Sequence, residues 1–430
     1  MHAVGRSRNS FWTLALGIAL AAALAGCTRE PASDPTRTTI VFKHSKLFGD
    51  PAALQKLIAE FEQQNPDIRV KDETLPSSSD EQHQFYVINL EARASDFDVF
   101  AIDVIWVAEF AKAGWLRDLT ALLPETERAA FFAGPIEAVT IEDRVYAIPW
   151  FIDAGLLYYR TDLLAAYGMP PPKTWGKLVR IAADLHKRHP DVYGFIWQGK
   201  QYEGLVCNVL EYLWSRGGEV LSDGKVVIDS PENRAALKVM VDLVHTYRVT
   251  PELVTTTTEE PSREIFGRGK AVFMRNWPYA WRLLQQEGSP VKGKVGITVL
   301  PHFPRHRSAA TLGGWQLAVN KHSKHPQAAE KFVAFMTSAK AQKHLGLTVG
   351  FQPTRRALYE DAELLAAQPA LGELYKIFQH ARPRPVSPYY VLLSQAMQSE
   401  FSAALAGVKT PDEALRALQS QMEEILKRRK

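Results

Sequence analysis

Strand-like and helix-like apolar patterns alternate from Thr38 onward, and that alternation most constrains what this chain can fold into. Thr38 to Phe42 reads as a strand, Pro51 to Gln64 as a helix with Leu54, Leu57, Ile58 and Phe61 on one face, and Ile68 to Glu73 as the next strand. Asp80 to Arg93 is helical, and Phe97 to Ile102 is a short buried strand. This order predicts an α/β fold on a parallel sheet, because helices that link strands return the chain to the same edge in the same direction. A second α/β set follows. It includes a helix from Trp175, with Thr174 as its N-cap, to about His189, a helix from Tyr202 to Arg216 closed by Gly217-Gly218, and one opened by Ser230-Pro231. Beyond residue 320 helices dominate: Pro326 to Met336, Lys340 to Leu345, Ala362 to Phe378, Ser394 to Ala406 and Pro411 to Lys427. There is no repeat and no low-complexity tract.

Ahead of this body, Arg6 and Arg8 precede the apolar run Phe11 to Leu24, which is too short to span a bilayer comfortably, and Leu24-Ala25-Gly26-Cys27 follows. Small residues before a Cys suit a lipoprotein signal peptidase, because the thiol carries the lipid while the preceding bond enters a tight cleavage pocket. Residues 1–26 therefore read as a lipoprotein signal peptide, Cys27 as the lipidation site, and 27–37, with Pro31 and Pro35, as a polar tether. The alternative is an ordinary cleaved signal with an incidental Cys. Either reading exports the chain, and the first anchors it by lipid to the cell membrane, facing the periplasm or the cell exterior. Thr28 lacks the Asp that would signal inner-membrane retention.

Without residues 1–26 the chain carries 49 Lys+Arg against 47 Asp+Glu, nearly neutral, with no long basic tract for nucleic acid and no second membrane-length apolar segment. About 400 residues exceed one simple core and predict two lobes. With Cys27 acylated, Cys207 has no intramolecular partner, and its apolar helical setting predicts a buried, inert thiol.

No catalytic signature is present. The 12 His include no HExxH, and His302 and His306 lie among prolines that disfavour a helix-borne metal pair. GxSxG, GxxxxGK[ST], CxxC and a GxGxxG following a strand are missing, so neither cofactor nor metal is expected. The signal lies instead in aromatic residues beside polar ones at strand ends, in four segments. Asp103 follows a buried strand and precedes a helix ending near Gly114, where a carboxylate can face a crevice, cap the helix, or both. Trp150, Phe151 and Asp153 stand between Pro149 and Gly155, as a ligand-facing crossing or as a buried aromatic staple. A Gly turn at 267–269 feeds a strand that delivers Trp277 and Tyr279. Gly313 and Gly314 let backbone approach a ligand beside Trp315. Any one Trp is more often core than site; several at strand ends shift the balance.

Aromatic faces with nearby carboxylates suit a sugar, whose C–H face stacks on indole while its hydroxyl rim needs fixed donors and acceptors. At these residues the chain resembles the extracellular solute-binding proteins of family 1, the sugar-binding lipoproteins of ABC importers, and within them the trehalose/maltose-binding branch. The resemblance runs from about residue 38 to the C-terminus. It is carried by Asp103 to Trp106 with Phe110 to Leu119, by Ile148 to Arg160, Gly269 to Trp281 and Leu312 to Asn320, and by Arg384-Pro385-Val386-Ser387-Pro388-Tyr389-Tyr390.

The resemblance implies a two-lobed periplasmic-binding-protein fold (type II) with a ligand cleft between lobes. Lobe 1 is placed at 38–149 plus 309–355 and lobe 2 at 150–308 plus 356–430. It further implies Asp103 and Asp153 accepting from hydroxyls, Trp277 and Trp315 stacking, Gly313 and Gly314 offering backbone N–H, and Arg382 or, preferably, Arg384 donating. Trp150, Phe151 and Tyr279 complete the expected ligand-binding set. His44-Ser45-Lys46 lacks the acid expected in trehalose and maltose binders, which leaves the disaccharide open. The implied partners are a sugar, ABC permease subunits with a cytoplasmic ATPase, and the membrane through lipid alone; a monomer suffices. Closure on a sugar held by both lobes would be the message to the permease. Two rivals are a binding protein for another solute, such as a polyamine or iron, and an exported glycosidase using Asp103 and Asp153, which would need about 5–9.5 Å between carboxylates.

Overall fold

The computed structural model describes residues 37–428 apart from residue 51, so the expected signal peptide, the expected lipidation site Cys27 and residues 28–36 of the expected tether lie outside the described residues. The strands are β1 (Thr38–Ser45), β2 (Ile68–Leu75), β3 (Val99–Asp103), β4 (Ile148–Ala154), β5 (Leu156–Arg160), β6 (Tyr193–Ile196), β7 (Ala271–Asn276), β8 (Val295–Thr298), β9 (Leu312–Val319) and β10 (Gln352–Pro353), beside two short hairpins. The principal helices are α1 (Ala52–Gln64), α2 (Ser79–Glu91), α3 (Val107–Lys112), α4 (Trp175–Arg188), α5 (Glu203–Trp214), α6 (Pro231–His245), α7 (Glu259–Gly267), α8 (Pro326–Met336), α9 (Ala339–Thr348), α10 (Tyr390–Leu405) and α11 (Pro411–Lys427).

Two sheets divide the strands. The larger has the order β10-β4-β9-β3-β1-β2 and the smaller β8-β5-β7-β6. Each sheet carries its own hydrophobic core, and these are the two lobes. Phe42, Phe61, Trp106, Trp150 and Phe332 belong to the first core, and Tyr158, Trp175, Phe195, Phe273 and the apolar side of α5 to the second. Among the described residues no helix is long and apolar enough to cross a membrane. Cys207 is a buried free thiol on α5, and burial pushes its pKa up, which disfavours the reactive thiolate.

The sheets are mixed rather than parallel. β1 and β3 pair in parallel, but β9 runs antiparallel to both β3 and β4. The reason is the crossing. β4 leaves the large sheet at Ala154 and turns at Gly155 directly into β5 of the small one, while β9 re-enters opposite it, with Leu312 paired to Ala154. A strand leaving and a strand entering at the same edge must run in opposite directions.

Helix boundaries follow local chemistry. Thr174 and Ser230 cap α4 and α6 by accepting from the N–H groups of Lys177 and Asn233, and Thr410 closes a reciprocal capping box with Glu413 on α11. The single helix expected over 362–378 is two, Ala362–Ala367 and Leu371–His380. Pro369 pushes Gln368 to φ −131°, ψ 81°, and the freed Gln368 side chain ties to Gln352 and the Gly346 carbonyl at 2.7 and 2.9 Å.

Candidate ligand-binding site

Four strand ends meet where the sheets face each other. The all-buried run Val99–Asp103 ends β3 with its carboxylate at this edge, and Asp153 ends β4 beside it. β9 begins between them, so that Gly313 stands opposite Asp153 and Trp315 opposite Asp103. From the small sheet, β7 ends with Asn276 paired to Leu156, which delivers Trp277 across the gap. A methyl group on Gly313 would lie 3.2 Å from the Trp277 ring and 3.3 Å from the Asp153 Cβ, so the absent side chain sets how closely indole and carboxylate approach.

Asp103 does not cap the following helix. Its Oδ1 accepts from the Ile105 N–H at 3.2 Å in a turn, and α3 starts only at Val107. The same oxygen accepts from Arg384 Nη2 at 3.0 Å, while Arg384 Nη1 donates to Glu203 Oε1 at 2.8 Å. Arg384 is 4% exposed, and its Nε is buried without a hydrogen-bond partner among the described residues. Glu203 also accepts from Tyr390 at 2.7 Å and from Ser394. This guanidinium thus ties a strand end of one lobe to the first turn of α5 in the other.

Further contacts run between the lobes. Lys112 donates to the Tyr389 hydroxyl at 2.7 Å, Arg282 to the Thr348 carbonyl at 2.5 Å, and the rings of Phe48 and Tyr279 stack with centroids 6.0 Å apart. Burial raises the Asp80 carboxyl, while Ser79, His83 and the Glu203 backbone N–H of the opposite lobe pull it back.

Three expected site residues are placed elsewhere. Trp150 and Phe151 are 2% and 7% exposed and pack with Phe351 in the aromatic core of the large sheet, at 5.7 and 3.8 Å between centroids. Only the last polar position of β4, Asp153, reaches the gap, because the preceding part of the strand is covered on both faces. Arg382 gives its guanidinium to Glu219, at 2.9 Å to each carboxylate oxygen, and lies over Trp214, away from Asp103. Tyr279 stands at the rim with its hydroxyl on Glu260 at 2.6 Å. Gly314 serves the sheet itself: at φ +114° a methyl there would lie 2.4 Å from the Phe151 carbonyl oxygen. Trp315 is half-buried and meets Trp106 edge to face at 5.4 Å.

Sequence reasoning missed the carboxylates beneath the site. Glu203 and Glu211 lie eight apart on one face of α5, a helix buried all round, and each holds one arginine, Arg384 and Arg275. Acids inside an otherwise apolar helix, and an Arg inside the apolar strand β7, were the available signal.

Burial pushes the Asp153 carboxyl well above the ordinary range, with Arg275 pulling it down and Asp103 pushing it further up. A carboxyl that holds its proton more tightly in the folded state stabilises the fold fully below its unfolded pKa, about 4. That contribution is lost as pH rises through the folded value. Asp153→Asn is therefore expected to change Tm little near pH 4 and to raise it near pH 8. Equal Tm differences at both pH values would mean that Asp153 ionises as it does in water.

Comparison with known proteins gives a consistent set. The family described as bacterial extracellular solute-binding protein matches residues 46–343. A probable ABC transporter-binding protein of Deinococcus radiodurans is 40% identical over 366 residues, covering 83% of this chain and 86% of the relative. Among solved structures, maltose-bound MalE3 of T. maritima superposes with a TM-score of 0.87 at 46% identity, covering 90% of this chain and all of that one. An ABC transporter solute-binding protein of Thermotoga lettingae bound with alpha-D-tagatose superposes at 0.82 with 26% identity, covering 90% and 100%.

Proposed function

Because the chain belongs to the bacterial extracellular solute-binding proteins of ABC transporters, a family of binding proteins and not of enzymes, we propose that it captures a sugar between its lobes for import. The ligand we favour is an α-linked disaccharide such as maltose or trehalose. The observation that carries this reading is the meeting of Asp103, Asp153, Gly313 and Trp315 from the large sheet with Trp277 from the small one, with the buried Arg384 bonded to Asp103. A half-buried indole offers a face for the C–H side of a sugar, and the carboxylates accept from its hydroxyls. The likeness to a maltose-bound protein at 46% identity supports the same ligand class.

In this reading Arg384 serves the site from within, and the roles expected for Trp150, Phe151 and Arg382 fall to the core and the surface. The lobes divide at Gly155, between Thr298 and Leu312, and after Pro353. A sugar touching both lobes favours the closed form by its differential affinity, and permease subunits read that form. Lipidation at Cys27 holds the protein at the membrane, and a monomer is sufficient for the cycle.

The test is thermal unfolding of the purified protein against maltose, trehalose, sucrose, maltotriose, glucose and spermidine. A ligand at 100 times its Kd adds about 2.7 kcal/mol of stability. A shift with an α-linked disaccharide and none with spermidine is expected; no shift with any sugar would end the sugar reading. Trp277→Ala is expected to weaken binding of that disaccharide by about 30-fold, or about 2 kcal/mol, through loss of the stacking face, measured by titration calorimetry. An unchanged Kd would remove Trp277 from the site.

A further inference from the structure

Beneath the Trp277 ring lies a charged pair that ligand contact does not require. Arg275 is 1% exposed, next to the end of a fully buried strand whose first four residues are apolar. Its Nη2 and Nε donate to Glu211 Oε1 and Oε2 at 2.6 and 3.0 Å, a two-pronged pair, and its Nη1 donates to Gln198 at 3.1 Å. Gln198 returns a bond to the Arg275 carbonyl at 2.9 Å and is itself held by Asn208 at 3.2 Å. Glu211 also accepts from the Thr311 N–H at 3.2 Å, where the chain is about to enter β9. A buried ion pair is weak evidence for stability, since an apolar pair of similar volume often does as well. Its retention here needs another reason.

The guanidinium supplies one. Its Cζ lies 3.9 Å from the Trp277 ring centroid. Positions 275 and 277 are two apart along β7 and its extension, which puts both side chains on one side of the strand. Indole and guanidinium are both planar, so contact at this distance fixes the tilt of the ring as well as its position. The remaining sides of the ring are fixed too. Nε1 donates to Glu259 at 3.3 Å, the six-membered ring abuts Gly313, and the backbone is held by Asn276 Oδ1 at 2.8 Å and by the Tyr158 hydroxyl on the Trp277 carbonyl at 2.7 Å. Trp277 is half-buried, and the edge of its six-membered ring lies against Gly313 of the large sheet.

We propose that the buried Arg275–Glu211 pair is the support that sets the Trp277 indole as a preformed stacking surface, which makes Arg275 a positioning residue for ligand binding. The proposal rests on the sugar-site reading for its purpose but not for its geometry. Pre-organising an aromatic platform removes the ordering cost that a loose ring would impose on each binding event.

The test uses purified protein with its tryptophans replaced by 5-fluorotryptophan, the Trp277 resonance being assigned by its loss in Trp277→Phe. In the unliganded wild type that resonance is expected to be narrow and displaced by the stacked cation. In the paired variant Glu211→Gln with Arg275→Met, which leaves no unpaired buried charge, it is expected to move and broaden while most others stay. Disaccharide affinity is expected to fall about tenfold in the paired variant. Trp277→Ala is then expected to cost less in that background than in the wild type, because the ring has already lost its support.

An unmoved Trp277 resonance, or a Trp277→Ala cost equal in both backgrounds, would overturn the proposal by reducing the pair to a structural element. If the paired variant does not fold, Arg275→Lys keeps a charge for Glu211 but loses the planar fork, and the same displacement is required of it. If the wild type binds no sugar while the resonance still moves, the sugar reading fails and the positioning role stands.

Discussion

Truncating Arg384 to alanine is expected to destabilise the protein by about 3–5 kcal/mol and to weaken ligand binding by more than about 100-fold. The side chain bridges Asp103 of the large sheet and Glu203 of α5, and all three are buried. Its removal leaves two carboxylates without a counter-charge in a site where burial already raises Glu203. Glu203, left in that position, holds its proton more tightly folded than unfolded. Its penalty is absent below the unfolded pKa, about 4, and appears as pH rises through the folded value. The deficit of Arg384→Ala should therefore shrink at acid pH, which separates a charge effect from a packing effect. Arg384→Lys should be intermediate, because an ammonium is a single point charge and cannot span both carboxylates as a planar fork does. Melting at pH 4 and pH 8 with calorimetric titration checks all three expectations. A stable, ligand-binding Arg384→Ala protein would show that closure does not depend on this bridge.

Much of this arrangement was legible in the sequence, and what was not has identifiable causes. Strand ends followed by turn residues are local signals, so Asp103, Asp153, Trp277, Gly313 and Trp315 could be singled out together, and the registers bring them to one gap. Helix boundaries carried by caps or by proline were equally local: Pro326–Met336 and Pro411–Lys427 match the observed helices residue for residue. Trp150 and Phe151 failed for the opposite reason. An aromatic residue covered by a second layer and one facing a cleft have the same sequence context, and only the tertiary structure shows that Phe351 covers the strand here. Arg382 and Arg384 stand two apart in an irregular, proline-rich segment without a fixed periodicity, and the partners that separate them, Glu219 and Asp103, are distant in sequence. The same holds for Glu203 and Glu211. Each answers an arginine 64 or more residues away, so the burial of acids on α5 was not readable from the helix alone.

The crossing from β4 to β5 gives the other large effect. Gly155 is the one residue between Ala154 and Leu156, and a methyl group there would fall 1.9 Å from Glu211 Oε1 and 2.7 Å from Arg275 Nη2. A flexible side chain could often yield to such an intrusion. This carboxylate cannot, because it is 1% exposed and its oxygens are already committed to Arg275 and to the Thr311 N–H. Either the pair separates, leaving a buried charge, or the backbone of the crossing moves and the two sheets lose their spacing. Gly155→Ala is therefore expected to cost about 3–5 kcal/mol, on the scale of breaking a buried pair, and to abolish measurable ligand binding. Gly176 provides the contrast. It sits in the first turn of α4 with nothing within 4 Å of an added methyl, so Gly176→Ala is expected to stabilise by about 0.5–1 kcal/mol through helix propensity and a less flexible unfolded chain. If Gly155→Ala melts within a degree of the wild type, the crossing has slack that the packing denies, and the buried pair is not what sets the distance between the lobes.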